Sequence, residues 1–280
     1  MVVQKIFIVY LIAVFSSSLF AGDKKVFYFT PLPTKKASKN IEEFFPLNNY
    51  LEKKLSISIQ YNYKSNYQDI LNGFKDGTID IAYLGPLPLV SLYKEYPFIA
   101  PLVSFKNKNG TSKYRCTLSK FRDDKLQTSK QIKIALTQPL STCGYLMSKV
   151  LLEKNFNIDL EKQKYFYTMS HTNALEAALR GDFLLAGSKE SIAKKYESLG
   201  MEIIAKSELL PGFSIVANKK TLSAKQIEVL QKTLLEIPQE TYSTFEGMGK
   251  YGTIKSHIKD YEILHVDFFI PYKGNINEAD

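Results

Sequence analysis

The chain has 280 residues, 45% hydrophobic and 23% charged, with a formal net charge of +9. That length suits a large single domain or two lobes with separate cores, and the composition is that of an ordinary globular protein. Two cysteines, Cys116 and Cys143, exclude a disulfide framework, and the scatter of lysines such as Lys24, Lys53, Lys108, Lys162 and Lys219 argues against a nucleic-acid stripe. A solvated basic surface with a mild bias toward anionic ligands remains.

At the N-terminus, Lys5 precedes the apolar run 6–15 and the exit Ser16-Ser17-Ser18-Leu19-Phe20-Ala21. This reads as a secretory signal peptide, residues 1–21, cleaved after Ala21. An uncleaved anchor is the competing reading; the run is short for a span, and no basic stop follows it. No later segment is apolar enough to span a bilayer, so the mature chain is expected to be exported.

Residues 26–31 form a β run ended by Pro31, a buried first strand opening into a loop. Residues 40–55 read as a helix with Ile41, Phe44, Phe45 and Leu51 on one face and a reset at Pro46. Residues 56–63 alternate with period two, as a strand does. A helix over 67–74 ends at Gly77; a strand over 79–84 runs into the Gly85-Pro86 break, and a helix follows to residue 93. This alternation is the signature of an α/β sheet, whose ligands sit at the carboxyl ends of strands. By that rule Thr30, Gly85 and Pro86 edge a crevice. Asp80 reads as a structural anchor.

A second α/β set begins with a β run over 112–120. The strand 132–136 leads through Ser141-Thr142-Cys143-Gly144 into a helix ending near residue 156. Two hydroxyls, a thiol and the unpaired N–H groups of a helix start make that turn a seat for an anion. A strand at 165–167, a helix over 171–180, and strands at 183–186, 201–205 and 213–217 follow, then a helix over 223–237. The tail resists assignment.

Matching Gly77 to Gly181 lays residues 65–82 over 169–186 and sets Tyr67 opposite His171, each in the first turn of its helix. Two lobes facing each other would aim both helix starts into one cleft. The plain readings are that Ser141 and Thr142 are N-caps, that Tyr67 is core, and that His171 only begins a helix. No Gly-x-Ser-x-Gly elbow, Walker loop or metal-ligand spacing of His171, His257 and His265 is present, so neither an enzyme nor a cofactor is expected.

Four passages resemble the phosphate/phosphite/phosphonate-type periplasmic substrate-binding proteins of ABC transporters, a group of type II solute-binding proteins. They are residues 77–86, Ser141-Thr142-Cys143-Gly144-Tyr145-Leu146, Ser170-His171 with Ala174, Ala177 and Gly181, and Leu210-Pro211-Gly212-Phe213-Ser214-Ile215. The resemblance covers residues 25–240. It implies an α/β fold of two lobes joined by hinge strands, each lobe a mixed sheet flanked by helices. The first lobe takes residues 22–118, the second 119–213, and 214–280 return through the hinge to the first.

The resemblance further implies a periplasmic monomer that closes over a small phosphorus oxyanion and delivers it to a permease. The ligand-binding set is Ser141, Thr142, Cys143, Gly144, His171 and Tyr67, with Gly85, Pro86 and Thr30 at the edge. The implied cage is uncharged. A sensor of the same fold, docking on a membrane histidine kinase, is the alternative. Two positions depart from the family's pattern. Cys143 replaces a small hydroxyl residue, leaving open a backbone-held anion, a preference for arsenic oxyanions, or pairing with Cys116. Leu184 stands where an acidic residue is usual, which puts recognition of a ligand's ammonium group in doubt.

Overall fold

The computed structural model describes residues 25–264 except 35, 128–130 and 246–247. The expected signal peptide lies outside the described residues. Among them, no helix is long and apolar enough to cross a membrane.

The chain opens with β1 (Val26–Thr30), α1 (Ala37–Leu55), β2 (Ser58–Tyr61), α2 (Tyr67–Lys75), β3 (Ile81–Leu84) and α3 (Pro86–Glu95). Helix α1 runs through Pro46 without the expected reset. Proline there removes one N–H bond, to the carbonyl of Glu42, an exposed residue whose oxygen can turn to solvent. Burial of Phe44, Leu47 and Leu51 on the other face holds the helix together. Helix α2 is capped by the Asn66 side chain, which accepts from the Asp69 amide, and Gly77 beyond it takes φ 76°, a conformation that favours glycine.

A strand absent from the sequence reading follows, β4 (Ile99–Phe105). Pro101 interrupts its pattern, and the register against its neighbour shifts beside that residue. Next come β5 (Cys116–Phe121), β6 (Lys133–Leu136), a π-turn over Thr142–Leu146 that continues into α4 (Met147–Phe156), β7 (Lys164–Tyr167), α5 (His171–Leu179) and β8 (Leu185–Lys189). The chain closes with α6 (Glu190–Ala193), β9 (Met201–Lys206), β10 (Ser214–Asn218), α7 (Ala224–Glu236), α8 (Gln239–Ser243) and β11 (Thr253–Lys255).

Two sheets result, in the orders β11-β4-β10-β3-β1-β2 and β7-β6-β8-β5-β9. In each, three parallel strands (β2-β1-β3 and β7-β6-β8) meet an antiparallel fourth, β10 or β5. The repeat read from the glycine match is thus a repeat of topology. Each sheet has its own core, with Phe27, Phe29, Phe44 and Ile81 in the first and Leu118, Ile134, Leu136 and Leu152 in the second.

The chain crosses between the sheets twice, after β4 and after β9. The two crossing segments pair where Tyr114 and Leu210 exchange backbone hydrogen bonds of 3.1 and 2.8 Å. They approach so closely that a Cβ on Gly212 would lie 2.3 Å from the Ser112 carbonyl oxygen. Glycine is required there.

Candidate anion-binding site

Ser141 caps the turn before α4. Its hydroxyl oxygen accepts from the Gly144 amide at 3.0 Å, and its carbonyl accepts from both Tyr145 and Leu146. Gly144 is therefore spent on the cap and does not line the cavity beside it. Its missing side chain matters for packing, because a Cβ would lie 1.9 Å from Thr137 Oγ1. The amides of Thr142 and Cys143, in the first turn, have no intrahelical acceptor, and the helix start adds roughly half a positive charge.

Thr142 reaches across to the other sheet's side, where its hydroxyl oxygen accepts from the Leu87 amide at 3.0 Å. Cys143 is bonded to Cys116 on β5, with the Cα atoms 4.9 Å apart. No free thiol remains, and the arsenic preference that a thiol suggested loses its basis.

A small cavity lies between the two sheets, with about 10 Å³ open to the centre of a water-sized sphere, room for about one water-sized group. Ser141, Thr142 and Cys143 form one wall; Tyr67, at the start of α2, and His171, at the start of α5, form others. Gly85, the N-cap of α3, completes the set, and a Cβ there would press on the Phe213 ring at 3.2 Å. Six of the nine nominated residues thus meet at one space.

Gly144, Pro86 and Thr30 do not. Pro86 fills the first turn of α3, and the Thr30 hydroxyl donates to the Asn62 carbonyl at 2.6 Å. Asp80 is buried and accepts from the Tyr28 amide at 2.7 Å, as a structural anchor does.

Five lining residues escaped the sequence reading: Leu32, Pro88, Tyr114, Phe213 and Lys189. Tyr114 lies on a crossing segment and Phe213 just beyond the other, and their rings meet edge to face at 5.6 Å. Lys189 ends β8, three residues past where that strand was read to stop. The rule that strands present ligands at their carboxyl ends would have found it, given the right boundary. The cage is therefore not uncharged.

Two polar atoms of this wall, Tyr114 Oη and His171 Nδ1, are sealed from solvent without a well-formed hydrogen bond, although the Thr142 hydroxyl lies beside Tyr114 Oη. Burial lowers the pKa of His171 to about 4, helped by the charge of Lys189 and opposed by the Gly187 backbone. Burial also lowers that of Lys189 and raises those of Tyr67 and Tyr114. At neutral pH the cavity thus offers a neutral imidazole, two un-ionised phenols, hydroxyls, amides and the Lys189 amine, whose charged form burial disfavours until an anion enters. Among the described residues, no three His, Cys, Asp or Glu side chains group to hold a metal.

Residues 29–261 match the family described as "ABC transporter, phosphonate, periplasmic substrate-binding protein". The chain belongs to that family. Its members are periplasmic substrate-binding components of transporters, not enzymes. Solved structures bear out the two-sheet type II architecture. PhnD1 from Prochlorococcus marinus, solved with methylphosphonate, superposes with a TM-score of 0.72 at 14% identity, covering 86% of this chain and 96% of that one. A binding-protein component of an ABC phosphonate transporter from Pseudomonas aeruginosa gives 0.73 at 16% identity, covering 88% and 87%. A Xanthomonas citri protein bound to ATP gives 0.69 at 14% identity, covering 86% and 95%. At such identities the likeness is one of fold.

Proposed function

We propose that this protein captures a small phosphorus oxyanion, namely phosphate, phosphite or a phosphonate, by closing two lobes over it, and delivers it to an ABC permease. One observation carries the reading. One small cavity gathers four helix starts, the Lys189 amine, and two solvent-sealed polar atoms without a well-formed hydrogen bond. A buried polar group left unpaired costs about 1–3 kcal/mol, so such groups facing one space favour a polar occupant.

In this reading the Thr142 and Cys143 amides and the Ser141 and Thr142 hydroxyls hold the oxyanion from one side. Tyr67, Tyr114 and His171 hold it from the others. A neutral His171 donates from one ring nitrogen only, so its tautomer decides whether it gives or accepts a hydrogen bond. The cavity binds and orients its ligand. Closure turns about the crossing segments, near the Tyr114–Leu210 bridge, with the second lobe lying between them. The protein acts as a monomer, exported by the N-terminal signal.

Thermal melts with phosphate, phosphite, methylphosphonate, arsenate and arsenite test this. A ligand at 100 times its Kd stabilises the native state by about 2.7 kcal/mol. At least one phosphorus oxyanion should raise the melting temperature. A flat response across the panel sinks the reading.

A further inference from the structure

Oxyanion capture as described would work with amides and hydroxyls alone, yet the cavity holds Lys189. Its Nζ lies 4.7 Å from the centroid of the Tyr114 ring and 5.3 Å from that of Phe213. Aromatic faces offer an ammonium a partial counter-charge, far less than a carboxylate does. No Asp or Glu lines the cavity. The adjacent Glu190 is turned to Lys194 and Lys206, each at 3.2 Å. The other titratable groups facing the space are His171, Tyr67 and Tyr114. None of them supplies a negative charge at neutral pH.

A buried cation without a carboxylate leaves a charge for the ligand to balance. A ligand bearing its own ammonium would instead set two cations side by side in a dry space. When protonated, Lys189 together with the helix starts at Thr142, Tyr67 and His171 comes to about two and a half positive charges, closer to a dianion than to a monoanion. We propose that Lys189 selects the ligand by charge, so that the cavity takes compact dianionic oxyanions and rejects those carrying an ammonium group. This rests on the oxyanion reading above and names the ligand class within it.

The test compares ethylphosphonate with 2-aminoethylphosphonate by calorimetry at about pH 8, on the wild type and on Lys189→Met. The wild type is expected to bind ethylphosphonate at least about 30-fold more tightly. In Lys189→Met, ethylphosphonate affinity should fall at least about 30-fold, the lower range for removing one partner of a buried charge pair. The gap between the two ligands should then close to within about threefold. Methanesulfonate, similar in shape to methylphosphonate but with one charge fewer, should bind the wild type at least about tenfold more weakly.

The free Lys189→Met protein should melt at or above the wild type, because an uncompensated buried charge has gone. If it melts lower, the wild-type ligand comparisons decide alone. Equal wild-type binding of ethylphosphonate and its amino analogue overturns charge selection and leaves oxyanion capture standing. So does equal binding of the sulfonate and the phosphonate, or an unchanged affinity in a well-folded Lys189→Met. Failure of the wild type to bind any phosphonate, phosphate or phosphite overturns both.

Discussion

The Leu87 amide donates to the Thr142 hydroxyl oxygen across the cleft, joining the first turn of α3 to the turn before α4. Both residues are buried, so this bond exists only while the two sheets are drawn together. Thr142→Val keeps the shape and removes the acceptor. The stranded amide should cost the closed form about 1–3 kcal/mol and lower oxyanion affinity about 10–100-fold. Thr142→Ser should restore most of it. Calorimetry measures the affinity, and small-angle scattering of the free protein should report a larger radius for the valine variant. A variant with unaltered affinity and radius would show that the bond does not hold the cleft shut.

The Cys116–Cys143 bond closes a sequence separation of 27 residues. Chain-entropy reasoning for such a loop gives a stabilisation of about 3–4 kcal/mol. The Cys116→Ser/Cys143→Ser double variant should lose about that much in urea denaturation, and reductant should reproduce the loss in the wild type alone. Because Cys143 lines the cavity, affinity should fall with it. Equal denaturation midpoints with and without reductant would contradict this.

His171 makes stability depend on pH in a definite direction. Burial and Lys189 hold its pKa at about 4, against 6.5 for a free imidazole. The unfolded chain therefore takes up the proton first as pH falls. The stability owed to a neutral His171 is complete above about 6.5 and drains away as pH drops toward 4, by up to about 3 kcal/mol. His171→Asn should flatten that part of the profile in the ligand-free protein. Melting curves between about pH 7 and pH 4 that run parallel for variant and wild type would refute the assignment.

Gly187 in β8 lies against the start of α4. A Cβ there would sit 2.0 Å from Ser148 Oγ and 3.2 Å from the Cys143 carbonyl oxygen. Gly187→Ala should destabilise by about 1–3 kcal/mol. Ser148 Oγ also donates to that carbonyl at 2.9 Å, so Ser148→Ala alone should cost about 1 kcal/mol. The double variant removes the clashing oxygen and should be more stable than the sum of the single losses predicts. Strict additivity in urea titrations would mean that the contact relaxes elsewhere.

The strand–helix alternation was legible because each element carries its own periodicity, and the two glycines with positive φ, Gly77 and Gly181, mark equivalent turns. Strand β4 was not, because Pro101 breaks its pattern and its neighbours in the sheet, β10 and β11, come more than a hundred residues later. In the site, residues tied to a local signal were found: the Ser141 cap and the helix starts at Tyr67 and His171. Tyr114 and Phe213 carry no such signal, and Lys189 was missed because β8 was read to end three residues early; the crossing of the chain and the end of β8 bring them together. A lysine is seldom buried, so nothing in its type nominated Lys189. Thr30 ends its strand as read but does not line this cavity, and its hydroxyl is turned to the Asn62 carbonyl.

The order of strands also sets an order of assembly. The second sheet, β7-β6-β8-β5-β9, draws on one unbroken stretch, from Cys116 to Lys206. The first has β10 wedged between β3 and β4, so its middle strand is among the last to emerge from an exporting or synthesising machine. Until residues 214–218 arrive, β3 lacks a partner along one edge and β4 along both, and unpaired edges invite misassociation. Pairing across such long separations is also slow. The segment from residue 214 onward is therefore what turns an early, aggregation-prone half-sheet into a finished lobe, and keeping those unpaired edges apart until it arrives is the task this topology sets for whatever escorts the chain.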